Sequence, residues 1–123
     1  MMTITPERMQ AYKEGARARK SHRMQEIEDR RQRALEVASE AARELKTKFG
    51  ATSVILYGSL AHGNWFSARS DIDIAAAGIA PEQFWRAWCA LDRIDRTLEI
   101  ELIALESAPG PLLRQIMQEG ITL

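Results

Sequence analysis

The spacing of apolar residues predicts one long helical region at the start of the chain. From residue 34 to Phe49, apolar residues recur at the spacing of one buried helix face, and Gly50 is suited to end that helix. Pro6 is suited to a first helical turn, and only Gly15 interrupts the chain between Pro6 and Gly50. We therefore expect helix up to Phe49, with the part after residue 34 packed on the core.

The front of this region, residues 1–33, has only a thin apolar stripe among charged residues. Its main members are Met9, Tyr12, Ala16, Met24 and Ile27. Because such a segment cannot bury itself well alone, three interpretations stay open: a solvated helix, a docking arm for a protein partner, or a contact for RNA phosphates. We divide the chain into a basic helical arm, residues 1–33, and one domain, residues 34–123.

Three later runs have the length and pattern of β-strands. The first, TSVILY, is β-branched and apolar; the second, DIDIAAAG, alternates acid and Ile before turning small; the third, LEIELIAL, again mixes acids with apolar residues. Helices are expected from Pro81 to Ile94 and from Gly110 to Gly120, since Pro opens each and Gly ends the second. The predicted order is helix, strand, strand, helix, strand, helix.

Length and composition restrict the class of protein. The chain has 123 residues, 46% of them hydrophobic, which is enough for one domain with a single core. No apolar run approaches membrane-spanning length, and the start lacks the apolar stretch of a secretory signal. The single cysteine, Cys89, excludes an internal disulfide. We expect a soluble protein of the cytoplasm without membrane contact.

The charges are divided unevenly along the chain. Residues 1–48 hold 12 Lys and Arg against 8 Asp and Glu, whereas residues 49–123 hold 5 against 9. The front is therefore +4 and the remainder −4, although the whole chain is neutral. Two halves of opposite charge indicate two separate roles.

Candidate chemistry lies between the first two predicted strands. Asp71 and Asp73 are two positions apart, so in a strand they share a face, and carboxylate oxygens suit Mg²⁺ bound together with substrate phosphates. Gly58 and Ser59 lie at a strand-to-helix turn, where backbone N–H groups can receive anionic oxygen. The two features together predict a metal–nucleoside triphosphate site.

The same stretch carries a family resemblance. GSLAHGNWFSARSDIDIA resembles the signature of the polymerase β-like nucleotidyltransferase superfamily, a Gly-Ser followed by Asp-x-Asp, and is most similar to its minimal nucleotidyltransferases (MNT). Residues 100–123 resemble the third strand and terminal helix of that branch. The resemblance covers about residues 34–123 and implies an α+β nucleotidyltransferase domain, a small mixed β-sheet flanked by helices, behind an N-terminal helical arm.

The resemblance also implies a metal site. Asp71 and Asp73 would bind Mg²⁺, and Glu101 would be a third ligand or the base for the attacking hydroxyl. In the third strand, the period of two places Glu99 and Glu101 on the same face, so parity cannot choose between them. We expect Glu101 to be the more buried of the two and to lie beside the Asp pair.

The implied nucleotide-binding residues are Gly58, Ser59, His62, Gly63 and Ser70. Gly58 and Ser59 would hold the terminal phosphates of ATP, the substrate, and Gly63 would shape the turn. His62 stands where many relatives carry Arg, and it is either a phosphate contact or a solvated loop residue. The 11 residues between Ser59 and Asp71 are one more than the common spacing in the family.

The small size of the domain bears on its biology. A catalytic core without an acceptor-binding domain resembles the antitoxin of HEPN/MNT toxin–antitoxin pairs, which implies transfer of AMP from ATP to a tyrosine of a HEPN-type ribonuclease toxin. Two alternatives stay open: an antitoxin that neutralises its partner by binding alone, and a nucleotidyltransferase for small molecules. We expect the toxin and a nucleoside triphosphate as partners, and no direct binding of nucleic acid.

Overall fold

The long N-terminal helix forms as one unbroken element. In the computed structural model, which describes residues 4–63 and 71–123, helix α1 runs Pro6–Lys48. The side chain of Thr5 caps its start by accepting a hydrogen bond from the backbone N–H of Arg8 at 3.2 Å. At the other end the N–H of Phe49 donates to the carbonyl of Leu45. The predicted helix is therefore confirmed.

Helix α1 is buried over only part of its length. Its buried residues are Ala34, Val37, Ala38, Ala41, Ala42 and Leu45. Nearly all residues from Ile4 to Asp29 are exposed. Burial thus begins where the domain was predicted to begin, although the helix is continuous there, and the division into arm and domain stays a prediction.

The strands form one mixed sheet with the order β3-β2-β1-β4. Their bounds are β1 Ser53–Tyr57, β2 Ile72–Ala77, β3 Ile100–Ala104 and β4 Ile121–Thr122. Strand β1 pairs antiparallel with β2 and with β4, and β2 pairs parallel with β3. The expected α+β fold with a small mixed sheet is confirmed. Strand β4 was not predicted, because two residues are too short to carry a pattern.

Three further helices and a 3-10 turn connect or follow the strands. They are α2 Ser59–His62, α3 Pro81–Asp92, the 3-10 turn Leu105–Ser107 and α4 Gly110–Glu119. Helix α3 is the crossover that a parallel pair such as β2 and β3 requires. Within residues 4–63 and 71–123 no helix could serve as a membrane span.

Alternation along the strands divides the core between the two faces of the sheet. One face packs against α1 and α3 through Val54, Leu56, Ile72, Ile74, Ala76, Ile100 and Leu102. The other face packs against Ile116 of α4 through Ile55, Tyr57 and Ala75. Since successive side chains of a strand point to opposite faces, Asp73 lies on the α4 side together with Ala75.

The division of α1 into a buried and an exposed part gives a matched pair of variants. Leu45 is fully buried, whereas Met24 on the same helix is 61% exposed. We expect Leu45→Ala to lower the free energy of unfolding by about 2–5 kcal/mol through the cavity it leaves. Met24→Ala should change it by less than about 0.5 kcal/mol. Urea denaturation of both variants measures this; equal losses would contradict the placement of the core.

Candidate active site

The Gly-Ser turn forms at the end of β1, where the chain enters α2. Gly58 has φ +76 and ψ −156, a conformation that favours glycine, and it precedes the first residue of α2, Ser59. A Cβ atom at Gly58 would collide with a carboxylate oxygen of Asp73. The Asp73 side chain therefore lies directly against the backbone of the turn, as the proposed site requires.

Strand pairing surrounds Asp73 with two further polar side chains. Tyr57 is its partner in β1 and Glu101 its partner in β3. Cross-strand pairing places the side chains of Asp73 and Glu101 next to each other, and this neighbour raises the pKa of Asp73.

Tyr57, Asp73 and Glu101 form a row across three neighbouring strands, and burial and repulsion change the pKa values of Tyr57 and Asp73. Burial, together with the charges of Glu101 and Asp71, raises the pKa of Asp73 from 3.8 to about 6. Burial, with the charges of Asp73 and Glu101, raises the pKa of Tyr57 to about 12, so its phenol stays protonated at neutral pH. Every effect that contributes to the shift of Asp73 raises its pKa. The row thus carries negative charge that a cation would stabilise.

The donor set fits Mg²⁺ in its chemistry, because it consists of hard carboxylate oxygens. In the part of the chain that the structure describes, however, no three or more Asp, Glu, His or Cys side chains are grouped as a metal site. Asp73 and Glu101 are together, whereas Asp71 precedes β2 and is exposed. The three predicted ligands are therefore brought to one edge of the sheet without forming a ready-made cluster.

The expected difference in burial between the two glutamates stays a prediction. Glu99 and Glu101 are both exposed, so burial class does not distinguish them. Register separates them instead: Glu101 pairs with Asp73, whereas Glu99 lies before β3 and its carbonyl accepts from the N–H of Ile72 at 2.9 Å. Of the two glutamates, the structure places Glu101 beside the Asp pair.

His62, a candidate phosphate contact, has a protein partner in this structure. It is the last residue of α2, and its Nε2 lies 3.0 Å from Oε2 of Glu119 at the end of α4. The contact joins the turn to the C-terminal helix. His62 is therefore neither a free loop residue nor directed only at a nucleotide.

Gly63 and Ser70 were both predicted to contribute to nucleotide binding. Gly63 ends the helix with φ +77, and a Cβ there would lie 3.0 Å from the guanidinium of Arg31 in α1. The close approach of Arg31 and the left-handed backbone both favour glycine. Ser70 lies outside the described residues.

Three residues near the site were not predicted from the sequence as parts of it: Tyr57, Glu119 and Arg31. Tyr57 was read only as the end of a strand, although its position before Gly58 places it next to the turn. Glu119 reaches the site from α4, near the end of the chain, and Arg31 reaches it from α1, well before the site in sequence. Their contacts depend on tertiary packing, for which a single sequence carries no signal.

The comparison with known families agrees with this geometry. The family described as "Polymerase beta, Nucleotidyltransferase" matches residues 39–123. Because that match covers more than half of the chain, the protein belongs to the polymerase β nucleotidyltransferase family. No curated protein matches the chain by sequence.

Several solved structures share the fold. A structure described as a candidate minimal nucleotidyltransferase is 26% identical, with a TM-score of 0.55, over 79% of this chain and 95% of that chain. A toxin–antitoxin structure with AMP-PNP is 22% identical with a TM-score of 0.58, over 69% of this chain and 70% of that chain. A structure of a tri-AMPylated Shewanella oneidensis HEPN toxin in complex with MNT antitoxin is 19% identical with a TM-score of 0.55, over 72% of this chain and 70% of that chain. At such identities the two complexes show the common fold.

The raised pKa of Asp73 predicts a pH-dependent stability. Between about pH 4 and pH 6 the folded protein holds a proton that the unfolded chain releases, so stability falls as pH rises through this window. Asp73→Asn cannot ionise and should be more stable than the parent at neutral pH by about 1 kcal/mol, after allowance for partial solvent screening. The difference should vanish near pH 4.

Thermal or urea unfolding at several pH values without metal measures this difference. Asp29→Asn, on the exposed part of α1, is the control and should follow the parent at every pH. An Asp73→Asn variant less stable than the parent at neutral pH would contradict the charge repulsion described above.

Proposed function

We propose that this protein is a Mg²⁺-dependent nucleotidyltransferase and an antitoxin, which transfers AMP from ATP to a tyrosine of a HEPN ribonuclease toxin. One observation carries the enzymatic part: the carboxylate of Asp73 lies against the backbone of Gly58. A phosphate-binding turn and a carboxylate group must adjoin for a metal–nucleotide complex to touch both, and here they are in contact.

The turn supplies the groups that would hold the triphosphate. The first N–H groups of α2 have no partner within a helix that short, and among residues 4–63 and 71–123 no side chain caps them. Together with the hydroxyl of Ser59 they can donate to phosphate oxygens. Because Gly58 has no side chain, its backbone can lie against Asp73 and stay accessible to phosphate.

Asp71, Asp73 and Glu101 would hold Mg²⁺. The bound cation would neutralise phosphate charge and stabilise the entering and leaving oxygens. Loading would require Asp73 to be ionised, and Asp71 to turn toward Asp73 and Glu101 from the start of β2. The protein residues thereby fix the substrate in a geometry suited to in-line displacement.

The proposed reaction transfers AMP from ATP to the tyrosine hydroxyl and releases pyrophosphate. The tyrosine hydroxyl oxygen of the acceptor forms a bond to the α-phosphorus of ATP, the bond from that phosphorus to the bridging oxygen breaks, and pyrophosphate leaves with the electron pair. The hydroxyl proton passes to the Glu101 carboxylate, which is exposed and can therefore be reached by a protein acceptor.

The antitoxin role is supported by the solved structures that share the fold. Their descriptions include complexes of an MNT antitoxin with a HEPN toxin, one of them tri-AMPylated, and a complex with AMP-PNP. For this chain too, the acceptor would be a separate protein, the partner toxin.

A second function, neutralisation by binding alone, is favoured by a specific observation. Asp71 is exposed and is not grouped with the other two carboxylates in the described part of the chain. A site that never assembles around a metal would leave a protein that blocks its partner without transfer.

The two functions differ in whether label reaches the partner. Purified protein, Mg²⁺ and the product of the adjacent gene are incubated with ATP labelled at the α-phosphorus, and in parallel with ATP labelled at the γ-phosphorus. We expect α-label on a tyrosine of the partner and no γ-label. A stable complex without label would establish binding alone, and α-label on small molecules only would establish the third function.

The same assay with two variants tests the role of Glu101. We expect Glu101→Gln to lower the rate of transfer by roughly 100-fold or more, because it removes a base and metal ligand. Glu99→Gln, two residues earlier and just before β3, is the matched control and should leave the rate nearly unchanged. Equal rates for the two variants would contradict the assignment of Glu101.

A further inference from the structure

The exposed part of α1 presents an uncovered apolar stripe, which we call the arm stripe: Met9, Tyr12, Ala16, Met24 and Ile27. Tyr12 is 69% exposed and Met24 61% exposed. Large apolar side chains this exposed, repeated along one helix, are typical of a surface that a partner covers. The helix from Pro6 to Asp29 extends roughly 36 Å, about the width of a small domain.

The arm stripe continues the face by which α1 packs on its own domain. Positions seven apart lie on nearly the same side of a helix, and Ile27, Ala34 and Ala41 follow each other at that spacing. Ala34 and Ala41 are fully buried. The stripe thus lies on the same side of α1 as the face that the domain buries, with Lys20 between Ala16 and Met24.

The end of the arm next to the domain is held in place by the side chains of Arg30 and Arg33. Arg33 forms an ion pair with Asp95, Nε to Oδ2, at 3.0 Å. Arg30 donates to the carbonyl of Thr97 at 3.3 Å. Because the helix is also continuous through this point, the arm leaves the domain in a defined direction and carries its stripe with it.

Basic side chains border the stripe on both sides. Helical positions place Lys13 and Arg17 on one flank and Arg19 and Arg23 on the other. Between residues 13 and 23 five basic residues and one acidic residue give a net charge of +4. A surface that covers the stripe must therefore offer negative charge along both of its edges.

This charge pattern distinguishes among three molecules that could cover the arm stripe: a second copy of the chain, RNA and a partner protein. A second copy of the chain, paired antiparallel, would bring the two basic centres against each other, which is repulsive. RNA would satisfy the basic residues, yet it would meet the acids Glu26, Glu28 and Asp29 and leave Tyr12 and Met24 in water. A protein helix with carboxylates beside apolar residues satisfies both requirements.

We propose that the arm stripe docks on a helical surface of the partner toxin that presents apolar side chains bordered by acidic residues. The identity of this partner rests on the proposed function; the chemistry of the surface follows from the stripe and its flanking charges. Docking through the arm would hold the partner on the domain from which AMP is transferred.

The test uses the full chain and the purified product of the adjacent gene. The stripe variant is Tyr12→Ser with Met24→Ser, and the control is Ala11→Ser with Ala18→Ser, two exposed residues on the opposite side of the helix. Both variants replace residues by Ser, so both lower helix propensity, and circular dichroism checks that the helix remains. Titration calorimetry should show binding weakened roughly tenfold or more by the stripe variant only.

Two further measurements separate the other occupants. Replacing Arg17→Gln and Arg19→Gln should reduce the salt dependence of binding, because two charges at the border are removed. Sedimentation of the protein alone should show no association that depends on the stripe; a dimer lost in the stripe variant would overturn the proposal in favour of a second copy. Equal affinity of the stripe and control variants would also overturn it.

Transfer of α-label to the partner is measured on the same samples. If label is transferred but the affinity for the partner does not depend on the stripe, the docking proposal is overturned and the proposed enzymatic function stands. Binding that depends on the stripe, without transfer by the parent protein, would support the docking proposal and contradict the enzymatic function.

Discussion

The contact between the Asp73 carboxylate and the Gly58 backbone is the constraint on which the site depends. Antiparallel pairing of β1 with β2 places Tyr57 opposite Asp73, so the turn that follows Tyr57 meets the carboxylate directly. A side chain at residue 58 would collide with Asp73, and its backbone has a positive φ. Glycine is therefore required twice at this point, by conformation and by space.

That contact brings together negative groups without a described cation to offset them. Burial and the neighbouring carboxylates raise the pKa of Asp73 to about 6. The site is thus less stable than an apolar edge of the sheet would be, and a divalent cation would remove the repulsion. A binding site that is strained without its ligand is a common property of functional centres.

The sequence predicted the elements whose patterns are long and local. Helix α1 followed from regular spacing and from Pro6, and β2, with Asp73, followed from its alternating pattern. The shared face of Asp71 and Asp73 stays a prediction, because Asp71 precedes β2. Features that depend on the order of strands were not predictable. The pairing of Glu101 with Asp73 depends on the order of the strands, and the contacts of His62 with Glu119 and of Gly63 with Arg31 join elements far apart in the chain.

The most direct test of the account is a crystal structure of the protein grown with Mn²⁺ and a non-hydrolysable ATP analogue. Mn²⁺ accepts the oxygen ligands that Mg²⁺ takes and can be located by its anomalous scattering. We expect an anomalous peak bound by Asp73 and Glu101, with the triphosphate on the N–H groups that follow Gly58. A bound nucleotide with its metal away from Asp73, or a triphosphate elsewhere on the protein, would contradict the account.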